Sequence, residues 1–114
     1  MSCGLAVIAS GYAFAASAAC ESPMVVSVPD GKTATMEQLL AAQGQVKVYM
    51  TAMNDYIACI DKEVEALGEA ATPEVKALAV ERHNTAVAEM EGIAASFNDQ
   101  VKAYRAANPT PPAN

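Results

Sequence analysis

The chain has 114 residues, of which 53% are hydrophobic but only 5% aromatic, with no Trp, 7 Lys and Arg against 13 Asp and Glu, and a formal net charge of −6. That balance argues against sequence-independent nucleic-acid binding, whose affinity comes from neutralising phosphates with Lys and Arg. The basic residues here are few and scattered singly. A core filled by Ala, Val, Leu, Ile, Met and Tyr suits close helix contacts better than a β-sandwich.

Leu5 to Ala19 run almost without interruption through apolar and small residues, ending in Ala16-Ser17-Ala18-Ala19 just before Cys20 and the first charge, Glu21. A run of about fifteen residues covers only ~22 Å of helix and falls short of the roughly twenty that a bilayer core requires. Residues 1–19 therefore read as a secretory signal peptide, removed on export, and not as a membrane anchor. Small residues stand at the cleavage subsites for a cut after Ala18 or after Ala19, and either leaves Cys20 at or beside the mature terminus. Such a signal ordinarily opens with Lys or Arg, whereas the first basic residue is Lys32. Met1 accordingly reads as an internal start whose basic head lies upstream, the alternative being a true start that relies on its terminal amine alone. The mature part, roughly 95 residues, suffices for one small domain, expected to be periplasmic or secreted and to have no membrane span after processing.

Residues 20–34 are expected to form an extended arm. Pro23 to Pro29 enclose the β-branched Val25, Val26 and Val28, and Pro29-Asp30-Gly31 favours a turn. Thr35 followed by Met36-Glu37-Gln38 reads as an N-cap with a reciprocal Gln at the third helical position, so a first helix is predicted over about 36–67. Leu39, Ala42, Val46, Tyr49, Met53, Tyr56, Ile60 and Leu67 form a heptad seam along it. The seam misses at position 63, where Glu63 faces inward or the seam shifts to Val64. Gly68 is expected to supply a left-handed C-cap, and Thr72-Pro73-Glu74 opens a second helix over about 73–107. Its seam holds Ala79, His83, Ala86, Met90, Ile93, Phe97 and Tyr104, and Asn108-Pro109 ends it, leaving residues 108–114 as a Pro-rich disordered tail.

Two helices of about 50 Å joined by so short a connection must fold back on one another. The predicted fold is all-α: an antiparallel, coiled-coil-like two-helix hairpin over residues 35–107 with an extended N-terminal arm. Cys20 and Cys59 are the cysteines left after processing, and an even count in a small exported domain points to a disulfide. The reach agrees: Cys59 lies about 35 Å along the first helix, and the arm can extend to about 50 Å. The alternatives are a free thiol at Cys59 with Cys20 exposed or lipidated.

Chemistry-bearing constellations are sparse. Met50 and Met53 share a helix face, and folding the hairpin about residue 70 sets Met90 opposite Met50, a grouping of soft sulfur ligands that would suit Cu(I). Core filling is the simpler account of methionines on or beside a seam, so no metal site and no cofactor is predicted. His83, the single histidine, reads as a partly buried packing residue. Glu63/Glu65 and Glu89/Glu91 are spaced so that their side chains point apart, and no nucleophilic triad or phosphate loop is present, which argues against an enzyme.

An apolar stripe flanks each seam: Met50, Ile57 and Val64 on the first helix, Val80, Val87, Ala94 and Val101 on the second. One hairpin cannot bury it. Met50, Ile57, Val64, Val80, Val87 and Val101 are therefore the predicted interaction residues, for a protein partner or a second copy, with a homodimeric four-helix bundle the simplest arrangement. In the alternative, the arm wraps across this edge in a monomer. The opposite edge carries the small residues Ala52, Cys59, Ala66, Ser96 and Ala103, a shallow channel into which Val25, Val26 and Val28 of the arm are expected to settle. The functional expectation is a non-enzymatic interaction or structural component of the cell envelope, with a periplasmic Cu(I)-binding protein using the methionines as the alternative.

Overall fold

The computed structural model describes residues 20–109. The signal peptide expected over 1–19 and the last five residues of the expected tail lie outside them. Within these bounds the chain is an all-α hairpin of two helices packed against each other, α1 (Met36–Leu67) and α2 (Pro73–Ala107). Residues 20–35 have no helix or strand and form an arm.

Local chemistry explains both helix starts. Gln38 donates its N–H to the Thr35 hydroxyl at 3.1 Å, and its side-chain Oε1 accepts the Thr35 N–H at 2.9 Å. This reciprocal pair satisfies donors that the first turn would otherwise leave open. At α2 the cap is one-way: Thr72 accepts from the Val75 N–H at 3.2 Å, with Pro73 in the first turn, where a missing N–H costs nothing. Ahead of α1, Asp30 makes the turn. Its side chain accepts from the Lys32 N–H at 3.0 Å, and its carbonyl accepts from the N–H groups of Thr33 and Ala34.

The end of α1 differs from expectation. Gly68 has φ 53° but ψ −125°, outside the left-handed helical region. Its N–H bonds back to the Glu65 carbonyl, and the chain then enters a single 3₁₀ turn, Gly68–Ala70. A left-handed cap would have sent the chain away from the helix axis, whereas the tight turn at Gly68 lets Thr72 begin α2 after only four residues. Positive φ with such a ψ is open to glycine and hardly to any other residue.

Burial follows the predicted seam unevenly. Leu39, Ala42, Val46, Tyr49, Met53 and Ile60 of α1 are buried, but in α2 only Ala86 is. The α1 seam is covered from two directions, by α2 and by the arm, while the rest of the α2 seam is half-buried. Leu67, expected in the seam, is exposed because it is the last residue of α1, where the partner helix has not yet begun.

Candidate functional site

The arm is fixed to the hairpin at its two ends. Cys20 is joined by a disulfide to Cys59 of α1, the two Cα atoms 5.8 Å apart. At the other end Gly31 is buried against α2 and donates its N–H to Oε1 of Gln100 at 2.8 Å. A side chain at Gly31 would overlap the Gln100 carbonyl and come within 2.9 Å of the Tyr104 nitrogen, so this approach needs glycine. From Val25 to Val28 the extended backbone alternates: Val26 and Val28 turn inward, Val26 onto the core cluster of Tyr49, Met53 and Ala86. Val25, expected to settle inward with them, is exposed, because successive side chains of an extended chain point to opposite sides.

A polar cluster absent from the sequence reading surrounds Cys20. Glu63 Oε1 accepts the Cys20 N–H at 3.1 Å, and Glu63 Oε2 pairs with Arg82 Nη1 at 3.3 Å. Arg82 Nη2 donates to the Cys20 carbonyl at 3.1 Å, and Arg82 Nε donates to the Tyr56 hydroxyl at 3.3 Å. One guanidinium thus ties the arm to both helices. The Cys20 N–H, followed by Arg82, holds the Glu63 carboxyl below its ordinary range against the opposing effect of burial. Position 63, where the seam misses, is occupied by a residue that serves the arm. Arg82 stands one residue before the seam position His83, and its charge beside an acid on the facing helix was the signal available in the sequence.

Cys20, Cys59 and Glu63 place their donor atoms within 4.8 Å of one another. With the two sulfurs bonded to each other, neither is a thiolate, and a single carboxylate remains to meet a cation. The methionines expected to form a layer do gather: Met53 is fully buried in the core cluster, and Met50 and Met90 pack against it. His83 is half-buried and lines a shallow hollow with Val64, Val80 and Lys76.

Of the predicted interaction residues, Met50 and Ile57 pack partly on the core cluster, and Val64, Val87 and Val101 are half-buried. Val80 is 59% exposed. A second apolar surface, not anticipated, is barer. Met24 is 90% exposed, Val25 68% and Val48 70%. Met24, Val25 and Val48 border an open groove of ≈ 710 Å³ between the arm and α1, floored by Ala41, Gly44, Tyr49 and Ala52. The spacing of Met36, Leu40, Gly44 and Val48 at every fourth position was legible in the sequence as an apolar and small-residue strip. No helix among the described residues is long and apolar enough to cross a membrane.

Comparison of the chain with protein-family models, with curated proteins and with solved structures finds no match.

Proposed function

We propose that this chain is an exported, non-enzymatic protein, periplasmic or secreted, that acts through its apolar surface as an interaction or structural component of the cell envelope. The observation that carries this reading is the group of large apolar side chains left bare at the groove, Met24, Val25 and Val48. Solvent-exposed apolar residues occurring singly need no explanation, whereas contiguous ones bordering a groove mark an interface. The Cys20–Cys59 disulfide supports export, since such bonds form and persist in oxidising compartments.

The stripe of Val64, Val80, Val87 and Val101 supplies the self-pairing edge of a four-helix bundle, leaving the groove for a different protein partner. Sedimentation tests the first assignment. The processed protein should be a dimer, and Val87→Glu should be a folded monomer, because an unpaired charge desolvated in an interface costs several kcal/mol. Photocrosslinkers at Val48 and at Val80 test the two surfaces separately. Adducts of discrete mass at Val48 with one envelope protein support the groove. A monomeric wild type without adducts at either position would overturn the interaction reading.

A second reading is favoured by the gathering of Met50, Met53 and Met90 in one cluster: a Cu(I) site of thioether ligands. Titration with Cu(I) under conditions that preserve the disulfide decides it. Binding at micromolar affinity or tighter, lost in a Met50/Met53 double substitution to Leu, would replace the interaction reading, and no binding would remove the copper one.

A further inference from the structure

We propose that reduction of the Cys20–Cys59 bridge turns its surroundings into a zinc site, in which the two thiolates and the Glu63 carboxylate bind Zn²⁺, water fills the fourth position and Arg82 orients the acid. The metal then staples the arm to α1 in place of the disulfide. This inference goes beyond the interaction reading and does not depend on it. The bridge takes up two electrons and two protons from a dithiol, the S–S bond breaks to give two thiols, and the donor leaves as its own disulfide. Zn²⁺ then displaces both thiol protons to solvent.

The three donors are already assembled. The sulfurs of Cys20 and Cys59 and a carboxylate oxygen of Glu63 lie within 4.8 Å of one another. In a tetrahedral zinc site, with Zn–S about 2.3 Å and Zn–O about 2.1 Å, such donors stand about 3.6–3.8 Å apart, so small adjustments suffice. Cys59 and Glu63 are four residues apart on α1 and share a face, the spacing that lets one helix supply two ligands. Cys20 comes from the arm, and its position does not depend on the S–S bond alone. Its N–H donates to Glu63 Oε1 at 3.1 Å, its carbonyl accepts from Arg82 Nη2 at 3.1 Å, and Gly31 anchors the other end of the arm on Gln100. A freed thiol therefore remains beside its partners, and ordering it costs the metal little. Charge also balances. Two thiolates and a carboxylate carry three negative charges, against two positive charges on the ion and one on Arg82, which bonds Glu63 Oε2 at 3.3 Å and donates to the Tyr56 hydroxyl at 3.3 Å. A carboxylate ligand held by a hydrogen-bond partner of its own is the usual outer-shell arrangement at a metal site. The Glu63 side chain is 40% exposed and both cysteines are half-buried, so one side of the cluster is open to water. Two soft sulfurs with one hard oxygen suit Zn²⁺, whereas Cu(I) favours sulfur throughout.

The test uses the full chain with Cys3→Ser, so that only Cys20 and Cys59 supply thiols. It is reduced with a phosphine, which unlike a dithiol does not compete for the metal. Co²⁺ is titrated anaerobically as a spectroscopic stand-in and then displaced by Zn²⁺. Expected is one ion per chain, with a thiolate-to-cobalt charge-transfer band and the intense visible bands of tetrahedral cobalt, and no such spectrum from the oxidised protein. Arg82 is a positioning residue, so Arg82→Gln should keep the charge-transfer band and weaken binding about 10–100-fold, the cost of losing an outer-shell partner. Glu63→Gln should weaken binding further and change the visible bands, because a ligand is lost. Thermal melting gives a second readout that needs neither of these variants: Zn²⁺ should raise the melting temperature of the reduced protein and leave that of the oxidised protein unchanged. Reduced protein that binds neither ion overturns the proposal, as does equal binding by the oxidised form. So does equal affinity with and without the Arg82→Gln and Glu63→Gln changes, which would mean that two cysteines alone capture the metal. Each of these results leaves the interaction reading standing, since sedimentation and crosslinking decide that separately.

Discussion

The Gly31 N–H donates to Oε1 of Gln100 at 2.8 Å, joining the turn before α1 to the far half of α2 across 69 positions of sequence. A methyl group at Gly31 would overlap the Gln100 carbonyl oxygen, and this oxygen belongs to a helix backbone that cannot step aside. Gly31→Ala should therefore lift the arm from α2 and cost about 1–3 kcal/mol, the range for overpacking a tight contact. Thermal melting measures the loss, and limited proteolysis should cut the arm near Lys32 in the variant before it cuts the wild type.

Cys59→Ser should be the most damaging single change to stability. The bridge spans 39 positions, and closing a loop of that size removes about 4 kcal/mol of chain entropy from the unfolded state. That is comparable with the lower end of the stability of a small domain. The melting temperature in oxidising buffer should fall well below that of the wild type and match that of the reduced wild type. Equal melting temperatures for oxidised wild type and variant would show that the bridge stabilises nothing.

Tyr49 gives the opposite expectation. Its side chain is buried, and its hydroxyl oxygen has no hydrogen-bond partner among the described residues. Burial, followed by the charge of Glu89, pushes its phenol above the ordinary value, as befits a group that stays neutral. Removing an unpaired buried hydroxyl relieves its desolvation cost, so Tyr49→Phe should stabilise by about 1 kcal/mol and raise the melting temperature by about 4–8 °C. A lower melting temperature would mean that the hydroxyl has a partner, a bound water or Glu89, in solution.

The Glu63 cluster predicts a pH dependence with a definite sign. Its carboxyl is held below the ordinary range in the folded state, chiefly by the Cys20 N–H and then by Arg82. Its contribution is therefore fully present above the unfolded value, about 4.3, and is lost as pH falls through the lower folded value. Because the side chain is partly exposed, the effect is small. The difference in melting temperature between wild type and Glu63→Gln should be constant from pH 7 to 5 and shrink toward pH 3. A difference that grows on acidification would reverse the assignment.

What the sequence by itself determined is the hairpin. Thr35 with Gln38 and Thr72 with Val75 start helices through bonds made within one turn, and the repeat of Leu39, Ala42, Val46, Tyr49, Met53 and Ile60 marks the face that must leave water. Both are local or periodic, so they are written along the chain. The Cys20–Cys59 bridge was legible too, from cysteine count and reach. Only tertiary structure decided how the arm is held, because Gly31 to Gln100 and Arg82 to Glu63 and Cys20 are single contacts between distant segments with no repeat to announce them. It also decided which apolar side chains stay bare. Val25 differs from Val26 by one position and Val48 from Val46 by two, yet the inner member of each pair packs while the outer one faces water. Burial depends on what else is brought against a face, and for Met24, Val25 and Val48 nothing among the described residues is brought near enough to cover them.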